Sequence, residues 1–347
     1  MPCIRCEQLP TLERGAGNLV LWFPLGHSST KAIRALADAG FNPMRGADGQ
    51  ITCAVDDGRP ERAAEAIAAQ LSTMECDDTR CLYKTGNEPA SMADISQVRS
   101  LTQILRLYGG EWFLSLLAEN RLTSAFQPIV RADDRTAVFG HEALARGKSE
   151  SGDTISPGKL FDEARSAGLL FNLDLACRRS AIASAKRRGF GVREKVFVNF
   201  TPTSIYDPAY CLRSTMAAVD DAGIPHGNVV FEVIESERTS DTGHLRGILA
   251  FYRGAGFQVA LDDVGSGYSS LNLIHQLRPD YAKLDMELIR GVDQDKYKAV
   301  VAAKLLESAR ELGIETIAEG VETEGELAWC RDNGATFIQG YLIGKPA

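Results

Sequence analysis

Acidic and polar side chains stand at the ends of successive strand-like runs, and that spacing is where chemistry is expected. Glu142 follows AVFGH, Asn199 ends KVFV, Glu232 lies in VVFEV, Asp262 and Asp263 end QVAL, Lys283 lies in YAKLD and Glu319 ends ETIA. One such carboxylate alone most often caps a helix or pairs with lysine, and one such asparagine most often marks a turn. Seven polar groups at six strand ends are a different matter. If the strands share one mouth, five carboxylates meet there, and they need protons, cations or distance to coexist. Oxygen-only ligands suit Mg²⁺, Mn²⁺ or Ca²⁺ and disfavour zinc or copper. The adjacent pair Asp262–Asp263 is placed to hold two cations about 3.5–4 Å apart, as two-metal phosphoryl chemistry requires. The glycines behind it, Gly265 and Gly267, mimic a dinucleotide-binding turn, but Ser270 stands where the third glycine of that fingerprint belongs.

Positioning these groups takes a barrel. From about residue 112, SAFQPIV, AVFGHEAL, KVFVNF, VVFEVIE, QVALDDV, YAKLD, ETIAEG and ATFIQGYL read as strands, most of them separated by helix-like segments. About eight such units in roughly 235 residues predict a (β/α)₈ TIM-like barrel, whose strand C-termini surround a single pocket. FQPIV and AVFGHEAL are joined by a short DDR turn without a helix, so the first strand is expected to be irregular and antiparallel.

At these residues the sequence resembles the EAL family of cyclic-di-GMP phosphodiesterases. HEALARG carries the family's name, and the likeness continues through FQPIV, VFVNFTP, FEVIESE, LDDVGSGYSSL, PDYAKLD, AEGVET and QGYLIGKP, in order, over residues 112 to 347. The resemblance implies a first metal held by Glu142, Asn199, Glu232 and Asp262. Asp262 then bridges to a second metal held with Asp263 and Glu319. It implies catalytic roles for Glu142, Lys283, Glu319, Asp263 and Glu235: Lys283 orienting the attacking water, Glu319 assisting as base, Glu235 anchoring the loop after Asp263. Arg146 is expected on a substrate phosphate, Leu144 and Gln127 beside the nucleotide, and Gln339 in support of the catalytic end. The implied reaction is metal-dependent hydrolysis of cyclic di-GMP to linear 5′-pGpG with two Mg²⁺ or Mn²⁺ ions, in a homodimer formed through the barrel. The alternative is a receptor that binds cyclic di-GMP without cleaving it. Val264, Ser266, Ala145, Gly147, Thr201 and Ile234 depart from the usual pattern, and none is an implied ligand.

The remainder of the chain has a different character. Residues 1–90 are expected to form a small α+β domain of ferredoxin-like order βαββαβ, regulatory or sensory, followed by a linker helix over 91–111 with apolar spacing from Ile95 to Leu107. Cys3, Cys6, Cys76 and Cys81 form two close pairs that could serve zinc, an iron–sulfur centre or redox chemistry; accessible thiols without a role are the plainer reading. A formal charge of −8 argues against a nucleic-acid polymer as partner. With no membrane-length apolar run and no signal-peptide pattern, the expected location is cytoplasmic.

Overall fold

The computed structural model describes residues 7–234, 242–266 and 270–347. The described residues form two compact units, one of Arg121–Pro157 with Asp174–Ala347, the other of Gln8–Asn120 with Gly158–Leu173.

In the smaller unit, β1 (Gly17–Trp22), β2 (Pro43–Arg45), β3 (Ile51–Val55), β4 (Arg80–Thr85) and β5 (Arg99–Ser100) form an antiparallel sheet in the order β2-β3-β1-β4-β5. Alternation along GNLVLW puts Leu19 and Leu21 on one face, in register with Cys53 and Ile51 of β3 and with Tyr83 and Cys81 of β4. All six are buried, as are Ala32 and Leu36 of helix α1 (Gly26–Asp38) and Ala63, Ala64 and Ile67 of α2 (Pro60–Ala68). The expected βαββαβ order is therefore present. It carries two additions, the edge strand β5 and a short helix α3 (Thr73–Asp78) started by a Ser72–Glu75 capping box.

The linker helix expected over 91–111 starts later than its apolar spacing from Ile95 suggests. Met92–Gln97 is a 3₁₀ turn, Arg99–Ser100 pairs with Arg80–Cys81, and helix α4 runs only over Leu101–Gly109. Ser100 sets the boundary: its hydroxyl accepts from the Gln103 backbone N–H, and its own N–H donates to Gln103 Oε1. Helices α5 (Glu111–Ala118) and α6 (Pro157–Ala167), with the first turn of α7 (Leu170–Arg188), complete the described secondary structure of this unit.

The larger unit is the expected barrel. Strands β6 (Leu122–Arg131), β7 (Val138–Lys148), β9 (Lys195–Asn199), β10 (Val229–Ile234), β11 (Gln258–Val264), β12 (Tyr281–Leu284), β13 (Glu315–Ala318) and β14 (Phe337–Ile338) close on themselves through β6–β7 pairing. The two-residue β8 (Thr154–Ile155) lies along the end of β7. Strand β6 is antiparallel to both its neighbours, β7 and β14, because its short hairpin leaves no room for a crossover helix. An apolar layer of Ile129, Phe197, Val230, Ala260, Tyr281, Ile317 and Phe337 fills the barrel. The strand period of two now does the positioning. Asn199, Glu232, Asp262, Lys283, Glu319 and Gln339 each stand two residues after a member of this layer, and Gln127 stands two residues before one on the antiparallel strand.

Candidate active site

Lys283 is the centre of the mouth. Its ammonium, on a side chain only 1% exposed, lies 2.7 Å from Glu319, 2.9 Å from Glu232, 3.1 Å from Asp262 and 3.5 Å from Glu142. Burial opposes its charge, but the four carboxylates together push its pKa well above the ordinary lysine range. One cation cannot serve four buried anions equally. Burial pushes Glu232 well up, raises Asp262, and takes Glu319 to about 8. Glu142 alone among the four goes the other way: burial would raise it, yet Lys283, Gln339 and Asn199 hold it below the usual carboxylate range.

Adjacent residues on a regular strand point to opposite faces, so Asp262 and Asp263 should not share a pocket. The backbone resolves this. Register slips between Leu261 and Val264, and Asp263 takes a left-handed φ of 57°, a conformation that aspartate tolerates better than most residues. One oxygen each from Asp262, Asp263 and Glu319 then lie within 4.8 Å of one another. Burial, followed by the charges of Asp262 and Asp285, lifts Asp263 to about 6. The chain turns away immediately at Gly265, whose φ is 101°.

A hard divalent cation fits this donor set. Glu232 is fully buried; the Lys283 ammonium stands 2.9 Å from its Oε1, and among the described residues no hydrogen-bond donor meets its Oε2. A buried carboxylate oxygen without a donor, beside a carboxylate trio and with no sulfur or imidazole ligand in the trio, calls for a cation of the Mg²⁺ type.

The remaining predicted site residues fall on either side of Glu142. Gln339 donates to Glu142 Oε2 at 2.6 Å and to Gln127 Oε1 at 3.1 Å, and Gln127 donates to the Gly344 carbonyl. Asn199 donates to Glu142 Oε1 at 3.1 Å. Leu144 and Arg146 follow Glu142 at two-residue steps along β7, in register with Ala125 and Thr123. The Arg146 guanidinium donates to the carbonyls of Ala145 and Leu144. Glu235, predicted as the anchor of the following loop, lies outside the described residues, as do Gly267, Cys3 and Cys6. Cys76 and Cys81 are free and buried, and burial raises both thiols above their ordinary pKa.

Three acidic residues that sequence reasoning passed over hold the mouth in shape. Asp174 is 2% exposed; its Oδ1 accepts from the Thr201 backbone N–H at 2.7 Å, and its Oδ2 accepts from Ser204 Oγ and from Arg178. It thereby fixes the turn that follows Asn199. Glu326 accepts from the backbone N–H groups of Glu322, Thr323 and Gly291, fixing the turn after Glu319. Asp285 accepts from Glu287 N–H and stands against Asp263. Asp285 closes the same YAKLD run that supplied Lys283, so a strand-end carboxylate was legible there.

A family model described as EAL domain matches residues 111–346. The chain belongs to the EAL domain family. Among curated relatives, the EAL chain is 34% identical over 232 residues to a probable cyclic di-GMP phosphodiesterase, PdeG, of Escherichia coli K12, covering 64% of this chain and 44% of that one. It is 27% identical to the cyclic di-GMP phosphodiesterase NbdA of Pseudomonas aeruginosa, covering 66% and 29%. The chain thus spans less than half the length of these curated relatives. Among solved structures, a standalone versatile EAL protein from Vibrio cholerae O395 in its c-di-GMP bound form matches with TM-score 0.58 and 36% identity, over 65% of this chain and 92% of that one. The Klebsiella pneumoniae BlrP1 manganese/cy-diGMP complex, at 22% identity and TM-score 0.58, shares the fold over 96% of both chains. No helix among the described residues of this EAL protein is long and apolar enough to cross a membrane.

Proposed function

We propose that the barrel is a metal-dependent phosphodiesterase that hydrolyses cyclic di-GMP to linear 5′-pGpG. The observation that carries this reading is the convergence of Glu142, Glu232, Asp262 and Glu319 on Lys283, with Glu232 Oε2 left without a hydrogen-bond donor among the described residues. The names of the relatives and bound structures support the choice of substrate.

In this reading Glu142, Asn199, Glu232 and Asp262 hold one Mg²⁺ or Mn²⁺ ion, and Asp262, Asp263 and Glu319 hold a second. Bound cations would draw in the phosphate and lower the pKa of an attacking water. Arg146 exchanges its backbone carbonyls for a phosphate oxygen, while Leu144 and Gln127 border the nucleotide. Gln339 keeps the Glu142 carboxylate aimed. Lys283 orients the water and Glu319 receives its proton. The water oxygen bonds to phosphorus, the ester bond to the ribose 3′-oxygen breaks, and that oxygen takes up a proton. Glu235 is assigned the anchoring of the loop after Asp263 by family likeness alone.

The proposal extends to regulation by the residues before about 112, with 112–347 as the catalytic barrel in sequence, and to a cytoplasmic setting where a second messenger is met. It also includes a homodimer. Tyr297, Val300 and Val301, on helix Lys296–Glu311, are 86%, 54% and 52% exposed, which supports a barrel face available for pairing. Incubation of the full chain with cyclic di-GMP and Mg²⁺ or Mn²⁺ tests the reaction, with pGpG as the expected product. Saturable binding without product under either metal would replace the enzyme by a receptor.

A further inference from the structure

We infer that the smaller unit carries a binding cleft for a phosphate-bearing anion. A cavity of about 680 Å³ is lined by Arg80, Arg99, Arg106 and Arg165, with Asp77 the single carboxylate in its wall among the described residues. Four guanidinium groups gathered in one concavity stand out in a chain of net charge −8.

Surface arginines are ordinarily solvated or paired, and such pairs stabilise little. This group differs in how its charges are balanced. Among the described residues, Arg80 and Arg99 have no carboxylate partner; Arg80 donates to the Asp77 carbonyl at 2.7 Å and Arg99 to the Ser96 carbonyl at 3.1 Å. Asp77 is itself engaged, its Oδ1 accepting from the Thr102 hydroxyl at 2.6 Å. Arg106 stands 3.7 Å from Glu163, a contact on an exposed side chain that leaves further donor positions, and Arg165 stands 3.3 Å from Asp162. Arg99 is only partly exposed, and burial lowers its pKa, with Tyr108 acting weakly the other way. Like charges held together in this way favour a multiply charged anion, which offsets both their repulsion and the desolvation of Arg99.

The chemistry of the donors selects the ligand class. A guanidinium presents a planar fork that matches two oxygens of a phosphate, whereas a lysine cluster would bind as point charges. No aromatic ring among the described residues lines the cleft, so they offer a nucleobase no stacking surface there. The recognised part is therefore the phosphate group itself, presented either as inorganic phosphate or pyrophosphate or at the end of a nucleotide.

Calorimetry on the full chain in excess EDTA, with orthophosphate, pyrophosphate and ATP as separate probes, tests the inference. Without divalent metal the acidic barrel mouth repels these anions, so the result stands whether or not the barrel cleaves cyclic di-GMP. The expected result is saturable binding of at least one probe at a single site. Arg80→Ala/Arg99→Ala should weaken it by about tenfold or more with unchanged circular dichroism, and Arg99→Lys by an intermediate factor because lysine lacks the fork. Equal affinity for pyrophosphate and ATP assigns recognition to the phosphates alone; a preference for ATP assigns the site to a nucleotide. If the double variant does not fold, Arg106→Ala must show the loss instead. No saturable binding of any probe, or binding undiminished in folded Arg99 and Arg106 variants, overturns the inference.

Discussion

The barrel mouth and the arginine cleft solve opposite electrostatic problems. At the mouth, charges of both signs are buried together: Lys283 is 1% exposed and lies within 3.5 Å of four carboxylates. In the cleft, charges of one sign lie at or near the surface, and water does much of the work of keeping them apart. Buried opposite charges are mutually dependent, so removing one strands the others. Partly solvated like charges are individually dispensable to the fold, and their cost becomes visible only when a ligand arrives.

The sharpest way to break this contrast is Lys283→Met. It leaves four buried carboxylates without their cation, and the metal-free protein should lose about 3–5 kcal/mol in urea unfolding. Turnover should fall by about two orders of magnitude or more if Lys283 orients the water. Asp174→Asn comes next, with an expected loss of about 2–3 kcal/mol, because Arg178 keeps its burial but loses its charged partner. A drop in turnover that exceeds the drop in folded fraction would show that the Asp174–Thr201 brace also aims Asn199.

Gly265→Ala probes the backbone at the same mouth. At φ 101° an added Cβ is strained, and it would also stand 3.0 Å from Leu288 Cδ2, so a loss of about 1–2 kcal/mol is expected in the same unfolding assay. The pH response sharpens the contrast further. Glu319 is raised from 4.5 to about 8, so its contribution to stability is full below pH 4.5 and is lost as pH rises through about 8. A cation needs the ionised form, so the rise in Tm caused by Mg²⁺ should be larger by roughly a few degrees near pH 8.5 than near pH 6. Equal shifts at both values would argue against Glu319 as a ligand. The smallest effect is expected from Arg99→Ala, which should change stability by less than about 1 kcal/mol in the absence of anion.

Much of the mouth was legible because it obeys one period. A polar residue two places beyond an apolar one, as in Phe197–Asn199, Tyr281–Lys283 and Ile317–Glu319, puts the apolar side chain in the barrel and the polar one above it. That rule operates within a strand, so sequence alone suffices. Asp174 escapes it, since it acts on the backbone N–H of Thr201 in a distant turn; Glu326 closes a local capping box with Thr323, which the T-x-x-E spacing signals, and only its bond to the Gly291 N–H needs the folded chain. The adjacent pair Asp262–Asp263 was read as a unit without a reason in the strand pattern. The strand period would have separated the two side chains, and only the register slip and the left-handed Asp263 reunite them. In the smaller unit the apolar spacing from Ile95 overran its true helix, because capping by Ser100 outweighs periodicity.

The smaller unit is assembled from two stretches of chain, and Gly158–Leu173 arrives only after the barrel has begun. Within the unit, Glu163 meets Arg106, Lys159 lies over the Trp112 ring, and Asn172 donates to the Gln8 carbonyl. Cutting the protein at a tidy boundary near residue 112 would therefore part this stretch from Arg106 and Gln8. It would leave the helix that carries the buried Leu160, Ala164 and Ala167 on the other side of the cut from the rest of its unit. Anyone transplanting this front half onto another barrel would have to carry that helix with it.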